Sequence, residues 1–440
     1  MASVRIPEAE APVLLEADVV VVGGGPAGLA AALASSQLGA RTVLIERYGF
    51  FGGNATAAWI GTICGLYRNT DEGFERVCGG LAARWADEIA ATGLGFGPVP
   101  FRETAVFLYV PWAFKFLADR LVTSEPNLRP LLHSTVTGVV RRGQQIDAVI
   151  IGSKRGPLAV TGSVFVDASG DADLAFHAGC GVETGPPGAR QFPSMQFLMQ
   201  NVDVAAAYGA GMERLNELIA TIGQEPEWNL SRAGGAILPT LRPGEVYGAM
   251  TRIAVDGRPP DITDPLEATA AEIAGRAEAE KAGRFLIANM PGFAGAYFAD
   301  TPTQLGVRES RRVTGEYVMT GEDVSGAARF DDAVAAGAWP QEFHTKGKGT
   351  EYVWLERGAY YQVPYRALVA RGIDNLLVAG RCLSATHEAL ASTRVIAPAM
   401  AQGEAAGVAA ATAARRKVAA RGVDVEEVQR VLRERGAFIG

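Results

Sequence analysis

The chain has 440 residues, 48% hydrophobic and 20% charged, with a formal net charge of -7. This apolar content supports about two domains with a sizeable buried core and excludes disorder as the main state. With 48 acidic against 41 basic side chains there is no general basic excess to hold nucleic acid; Arg141-Arg142 and Arg311-Arg312 are local clusters. Cys64, Cys78, Cys180 and Cys382 form no C-x-x-C pair, so neither a disulfide framework nor a zinc site is expected, and no metal is assigned. The start, MASVRIPEAEAPVLLEA, lacks the charged head and apolar run of a signal peptide. No run of about 18 uncharged apolar residues reads as a membrane span. The expectation is a soluble, cytoplasmic protein.

In chain order, Asp18–Val22 (DVVVV) is a β-branched run of the kind buried on both faces of a parallel sheet. It leads into Gly23-Gly24-Gly25-Pro26-Ala27-Gly28 and then into LAAALASSQLGA, a strongly helical stretch with Gly39 as its stop. A second strand, Thr42–Ile45, ends at Glu46. This is a G-x-G-x-x-G set between strand and helix. Gly23 serves the tight turn, Gly25 the close approach of a diphosphate and Gly28 the helix–strand packing; Pro26 and Ala27 open the helix whose N-terminus faces the phosphates. Glu46 is placed to accept hydrogen bonds from an adenosine ribose, which disfavours NADP. FAD and NAD both fit at this point. Further on, Arg47-Tyr48-Gly49-Phe50-Phe51-Gly52-Gly53-Asn54-Ala55-Thr56 brings a glycine pair and polar groups soon after the acid. A long, extended FAD needs such a second approach of backbone; a simple NAD domain does not.

With that segment the chain resembles the FAD-dependent oxidoreductases of the glutathione-reductase-like FAD/NAD(P)-binding superfamily. Similar motifs follow at Val166–Asp173 (VDASGDAD), Gly306–Arg312 (GVRESRR), Tyr361–Arg366 (YQVPYR) and Leu377–Ala389 (LVAGRCLSATHEA). The resemblance implies an α/β fold: a glutathione-reductase-like FAD-binding Rossmann domain, made of a parallel sheet plus a β-meander, with an inserted α+β substrate or cap domain. It implies bound FAD and a redox role without specifying a substrate. Arg47, Gly53, Asn54, Ala55, Thr56, Ala168, Ser169, Gly170, Asp171 and Gly380 become further cofactor contacts. Where wider relatives carry an acid for the ribityl hydroxyls, this chain has Arg381, a bidentate donor suited to diphosphate.

The remaining elements follow the same plan. Phe107–Leu121 is aromatic and helical after Pro111, and packing explains it better than membrane docking. His133–Arg141, Ile146–Gly152 and Leu158–Ser163 read as a three-stranded meander, followed by a separate buried strand Val164–Ala168; Val136 either packs on adenine or is plain core. The FAD-binding domain is read as 1–180 and 371–440, with a substrate or cap domain at 181–370. Within the latter, Asp264–Asn289 is a helix with a solvated acidic face, and Phe192–Met199 is a core strand or a pocket lining. Asn375–Ala379 reads as a strand. Ala397-Pro398 precedes a long Ala-rich helix running to about Arg416, and the resemblance aims its N-terminus at the flavin pyrimidine. Val423–Arg435 reads as a charge-laced surface helix.

For chemistry, His387 in SATHEA is the best proton-transfer candidate, with a structural role or a cofactor contact as alternatives. Arg308, Arg312 and Arg394 are candidates to clamp a substrate carboxylate, or to pair with Glu309 or the flavin. Tyr360 and Tyr361 are weaker acids, and Cys382 has no partner for thiol redox chemistry. Gly209-Ala210-Gly211 does not make a second dinucleotide motif, so no dedicated NAD(P)H domain is expected. The sequence therefore points to an FAD-dependent oxidoreductase moving hydride between a small organic substrate and flavin N5. Oxygen, a quinone or a partner protein is compatible as electron acceptor, and an oligomer is compatible too. The alternatives are an electron-transfer subunit of a complex, a non-catalytic binding module, or an NAD enzyme without flavin.

Overall fold

A computed structural model describes residues 4, 10–185, 188–345, 347 and 349–440; residues 1–3 and 5–9 of the stretch read for a leader lie outside them. The opening apolar run lies within a longer strand, Val13–Val22, that pairs in parallel with Thr42–Ile45 on one side and Gly156–Asp167 on the other. Leu128–Leu131 extends the parallel sheet beyond Thr42–Ile45, and Leu376–Val378 adds to the end of Gly156–Asp167. Both faces are covered, which is why the run is continuously apolar. Val19 and Val21 point into a core shared with the two long Ala-rich helices, whereas Val20 and Val22 point into one shared with the meander.

The meander is Thr135–Arg142, Gln145–Ser153 and the first half of Gly156–Asp167, paired antiparallel. Here the structure corrects the sequence reading: Leu158–Ser163 and Val164–Asp167 belong to one strand of 12 residues, and Ala168 follows its end. Its first half pairs with Gln145–Ser153 and its second half with Leu376–Val378. The pattern changes from alternating to continuous because the strand passes from a half-covered ribbon into a doubly covered sheet.

Helix Pro26–Gln37 starts with its proline in the first turn and ends two residues before Gly39. It is buried on nearly every side, so the hydroxyls of Ser35 and Ser36 turn back to the carbonyls of Ala32 and Leu33. The C-terminal helix Ile396–Arg416 lies against it, and Pro398 falls inside its first turn rather than before it. Closer to the surface, strand Thr104–Tyr109 leads into helix Pro111–Ser124, whose Phe114, Leu117 and Leu121 are packed inside. Helix Val425–Glu434 buries only Val428 and Leu432.

A second apolar core is built by residues 195–305. Its sheet is antiparallel, in the order Ala236–Pro239, Glu245–Ala249, Phe197–Gln200, Tyr297–Asp300. Met195, Phe197 and Met199 are fully buried in it, so the run after Phe192 is core. Helix Pro265–Asn289 backs the sheet through small residues, Ala271, Gly275, Ala279 and Ala282; the Asp264 carboxylate caps its first turn. Of its acids, Glu267 pairs with Arg258 and Glu278 with Lys281, while Glu272 accepts the Leu305 N–H. Gly209-Ala210-Gly211 lies in helix Val204–Ala220, kinked at Gly211. The chain then returns, and Met319, Val324, Val334, Tyr361 and Val363 pack into the first core. Among the described residues no helix is long and apolar enough to cross a membrane.

Candidate active site

The cofactor cradle starts at the glycine turn. Gly23 has φ +97, donates its N–H to Ile45 O and lies against the Ala168–Ser169 backbone, so only glycine fits there. A Cβ on Gly28 would collide with the Gly23 carbonyl, whereas a Cβ on Gly25 would meet only the Gly53 Cα, at 3.8 Å. Gly25 therefore presents open backbone at the start of helix Pro26–Gln37, as a diphosphate requires. Ala27 is buried, while Pro26 stays half-exposed beside Gly25. Gly53 brings the second segment within touching distance of Gly25, and Gly52 N–H donates to Gly24 O at 2.7 Å.

One narrow groove beside this turn is lined by Gly23, Glu46, Arg47, Val136 and Ser169, with Asp173 at its edge. Five predicted cofactor residues thus share one wall, and the donor set fits the adenosine half of FAD. Glu46 is buried with its two carboxylate oxygens already accepting from Gly24 N–H, at 2.7 Å, and Tyr48 N–H, at 2.9 Å; each keeps a lone pair for a ribose hydroxyl. Burial raises its pKa despite those donors. Ser169 donates to Asp167, whose carboxylate also accepts from the N–H groups of Ser169 and Ala175 and so ties down the turn that Ala168 enters. Ala55 is fully buried, and the Thr56 hydroxyl donates to Phe51 O at 2.7 Å; these two shape the turn.

The GVRESRR segment explains itself residue by residue. Val307 O accepts from Asn54 Nδ2 at 2.8 Å. Arg308 turns the other way, to Phe192 O and Ser194 Oγ. Ser310 Oγ donates to Asp171 at 2.7 Å, and Arg311 holds both the Asp171 carbonyl and the Asp173 carboxylate. Arg312 is ion-paired to the fully buried Glu309 and donates to Ala385 O. Of the pairings open to Arg312, the structure has the one with Glu309. Asp171 also receives Arg381, at 3.0 Å, and Arg47, at 3.4 Å. Burial would raise its pKa, but those guanidinium groups hold it below the ordinary carboxylate range. Arg381 is thus seated on Asp171 beside Gly170. Gly380 donates its N–H to Gln402 Oε1, fastening this turn to the C-terminal helix.

At the far end of the same segment stands His387, the first residue of helix His387–Thr393. Its Nδ1 lies 2.8 Å from Glu309 Oε2, and its ring stacks on Phe343. A carboxylate at Nδ1 selects the tautomer that leaves Nε2 as acceptor in the neutral ring. Gln191 N–H donates to the same Glu309 oxygen, and Gln191 Oε1 accepts from Arg394 at 3.2 Å. His387, Glu309 and Arg394 are therefore neighbours, and Arg308 is linked to them through Ser194 and Phe192.

Sequence reasoning missed Arg232, Arg252, Glu342 and His344, which surround Arg308 and Arg394. No local motif marks them; Arg232 and Arg252 lie in loops of the second core, and Glu342, in the short strand Gln341–Phe343, and His344 just after it come from a later part of the chain. The weaker candidates are occupied. Tyr361 is fully buried with its hydroxyl on Ser392, and Tyr360 packs edge-on against Phe438. Burial pushes the Cys382 thiol far up, and its sulfur accepts the Gly170 and Ala172 N–H groups. Among the described residues no group of His, Cys, Asp and Glu is placed to hold a metal ion.

Comparison with known proteins adds the following. Thiamine thiazole synthase of Methanococcus vannielii is 46% identical over 48 residues, 11% of this chain and only 18% of that protein. The solved structure of a geranylgeranyl bacteriochlorophyll reductase-like protein from Thermoplasma acidophilum superposes with a TM-score of 0.48 at 14% identity, covering 96% of this chain and 84% of that one. Aquifex aeolicus GidA gives a TM-score of 0.47 at 14% identity, over 92% of this chain and 64% of that one. A model of the family described as FAD dependent oxidoreductase matches residues 18–432. The chain belongs to that family, and it is an enzyme whose cofactor is FAD.

Proposed function

We propose that this enzyme moves a hydride between a small organic substrate and the flavin N5, with His387 handling the accompanying proton. When bound, FAD supplies the two-electron redox chemistry. The chain's part is to bind, orient and manage charge. Gly23, Gly25, Glu46, Val136 and Ser169 hold the adenosine and diphosphate end, and Arg47 and Arg381 are kept rigid near it by Asp171. The observation that carries the reading is the course of Gly306–Arg312. It touches Asn54 and Asp171 at the cofactor cradle and, through Glu309, holds His387 by its Nδ1. A proton-handling imidazole therefore shares one wall with the cradle. Arg308 and Arg394 border the space beside it, where substrate is oriented. The domain assignment, 1–180 and 371–440 for FAD and 181–370 for substrate, belongs to this proposal; the separate core of residues 195–305 supports it, whereas Met319, Val334 and Val363 pack into the first core. The test is an anaerobic screen of small organic acids, alcohols and amines against the purified yellow protein, following loss of flavin absorbance. A substrate that bleaches the wild type rapidly and the His387→Gln variant slowly supports the reading. Equal rates in both refute the role of His387.

A further inference from the structure

Arg232, Arg308 and Arg394 gather around one carboxylate, Glu342, with Arg252 beside Arg232 and Arg308. Arg308 interacts electrostatically with the other three arginines and with Glu342, and Arg394 Nη2 lies 3.9 Å from Glu342 Oε2. Short links join the group. His344 Nε2 is 3.1 Å from Glu342 Oε1, Thr350 Oγ1 bridges His344 and Arg232, and the Arg252 guanidinium lies over the Phe192 ring. The next acid facing Arg394, Glu309, is already paired with Arg312 and His387. Burial and the Arg308 charge pull His344 down to about 3, so it is neutral at pH 7. Among the described residues Arg232, Arg308 and Arg394 thus outnumber Glu342 by two positive charges.

Such an excess is costly in a buried place, because the guanidinium groups repel one another and have left water. Burial, with the neighbouring arginines, pulls Arg308 down to about 9, and burial with Arg232 pulls Arg252 to about 10. Both remain charged at neutral pH. Donors are also left over: the Nε of Arg394, on a side chain only 10% exposed, has no partner among the described residues, and neither do Arg232 Nε and Gln191 Nε2. Buried donors without acceptors call for a ligand that supplies oxygen atoms.

We infer that this cluster is the substrate's binding site and that the substrate is a small dianion, an organic acid whose two anionic groups sit on Arg308, Arg394 and Arg232. The shared chemistry is two anionic oxygen groups, carboxylate or phosphoryl. This rests on the proposed function only for the word substrate; binding itself needs no turnover.

The test titrates the as-purified protein with malonate, succinate, glutarate and inorganic phosphate, and with propionate and succinamide for comparison. Trp339, whose Nε1 lies 3.2 Å from Glu342 Oε2, gives a fluorescence signal, and thermal stability gives a second. At least one dianion is expected to bind, with propionate and succinamide at least tenfold weaker. Arg394→Gln or Arg232→Gln should weaken the dianion about tenfold or more, a loss of ~1.4 kcal/mol or more. Arg142→Gln, at a surface pair with Asp147, should leave it unchanged. Glu342→Gln, which raises the charge excess, should tighten it. Should the arginine variants not fold, added salt on the wild type still decides, since dianion binding must weaken more steeply than propionate binding. Binding of phosphate above every dicarboxylate assigns a phosphoryl group and keeps the inference. Equal binding of succinamide, or no dianion response from protein carrying normal flavin, overturns it. A colourless protein that still binds the dianion overturns the redox reading alone.

Discussion

Gly25 and Gly28 lie three residues apart, one just before helix Pro26–Gln37 and one in its first turn, yet a methyl group meets different surroundings at each. At Gly25 the added carbon points into the open, so Gly25→Val should leave the fold's stability near wild type while removing FAD; flavin absorbance per mole of purified protein measures this. At Gly28 it runs into Gly23 O, so Gly28→Ala should cost stability, ~1–3 kcal/mol by urea unfolding, before any effect on cofactor is read. Retention of full flavin by the valine variant would remove the diphosphate assignment. His387 and Glu309 form a pair in which the carboxylate orients the ring. His387→Gln should slow flavin reduction by ~10²-fold or more. Glu309→Gln, keeping shape but losing charge, should shift the pH profile of that step and lower its rate less. His344 makes a pH prediction. Its pKa falls from 6.5 in the unfolded chain to about 3 in the folded one. The unfolded chain therefore binds a proton over that window that the folded chain refuses. Stability is fully present above about 6.5 and is lost as pH falls toward 3. His344→Gln should flatten the difference between stabilities measured at pH 7 and pH 4 relative to wild type; an unchanged slope would show that the imidazole is not held neutral.

Helix Ile396–Arg416 reaches helix Pro26–Gln37 closely because Gly403 and Gly407, one turn apart, stand where side chains would overlap the Ala27 and Ala31 backbone. The diphosphate end of the first helix is thereby held from behind. Gly403→Ala should destabilise the protein by ~1–3 kcal/mol and raise the FAD dissociation constant, whereas Gly422→Ala, with nothing within 4 Å, should do neither. Unfolding midpoints and flavin release on dilution check the pair. The elements themselves were legible in the sequence wherever one local rule governed. DVVVV, the glycine turn and the Ala-rich stretches report burial on all sides, and Asp264 with its proline reports a helix start. Legibility failed where one element crosses two environments. The strand Gly156–Asp167 reads as two, divided between Ser163 and Val164, because its partners change between Thr161 and Phe165, and partners are not local information.

At the scale of the whole molecule, the cradle was readable and the arginine cluster was not, for the same physical reason. A diphosphate needs consecutive backbone groups, so its residues are neighbours in sequence. A substrate pocket needs side chains from several directions, and here they come from Arg232 and Arg252 in the second core's loops, Arg308 in the crossing segment and Arg394 before the last long helix. GVRESRR was visible as a motif, but its alternation of duties exists only once Asp171, Ser194 and His387 surround it. That segment joins the two cores, because it faces Asn54 on one side and Ser194 on the other. Binding of FAD stabilises whatever is folded around it, by ~4 kcal/mol at a thousandfold excess over the dissociation constant. If Gly306–Arg312 is the mechanical link, that stabilisation must pass along it. Adding FAD to protein stripped of flavin should therefore slow hydrogen exchange at residues 305–312 as well as at residues 23–28. Arg308 and its neighbours should become ordered in the same step. Protection confined to the glycine turn would mean that the cofactor and substrate regions are built independently, and that the segment only passes between them.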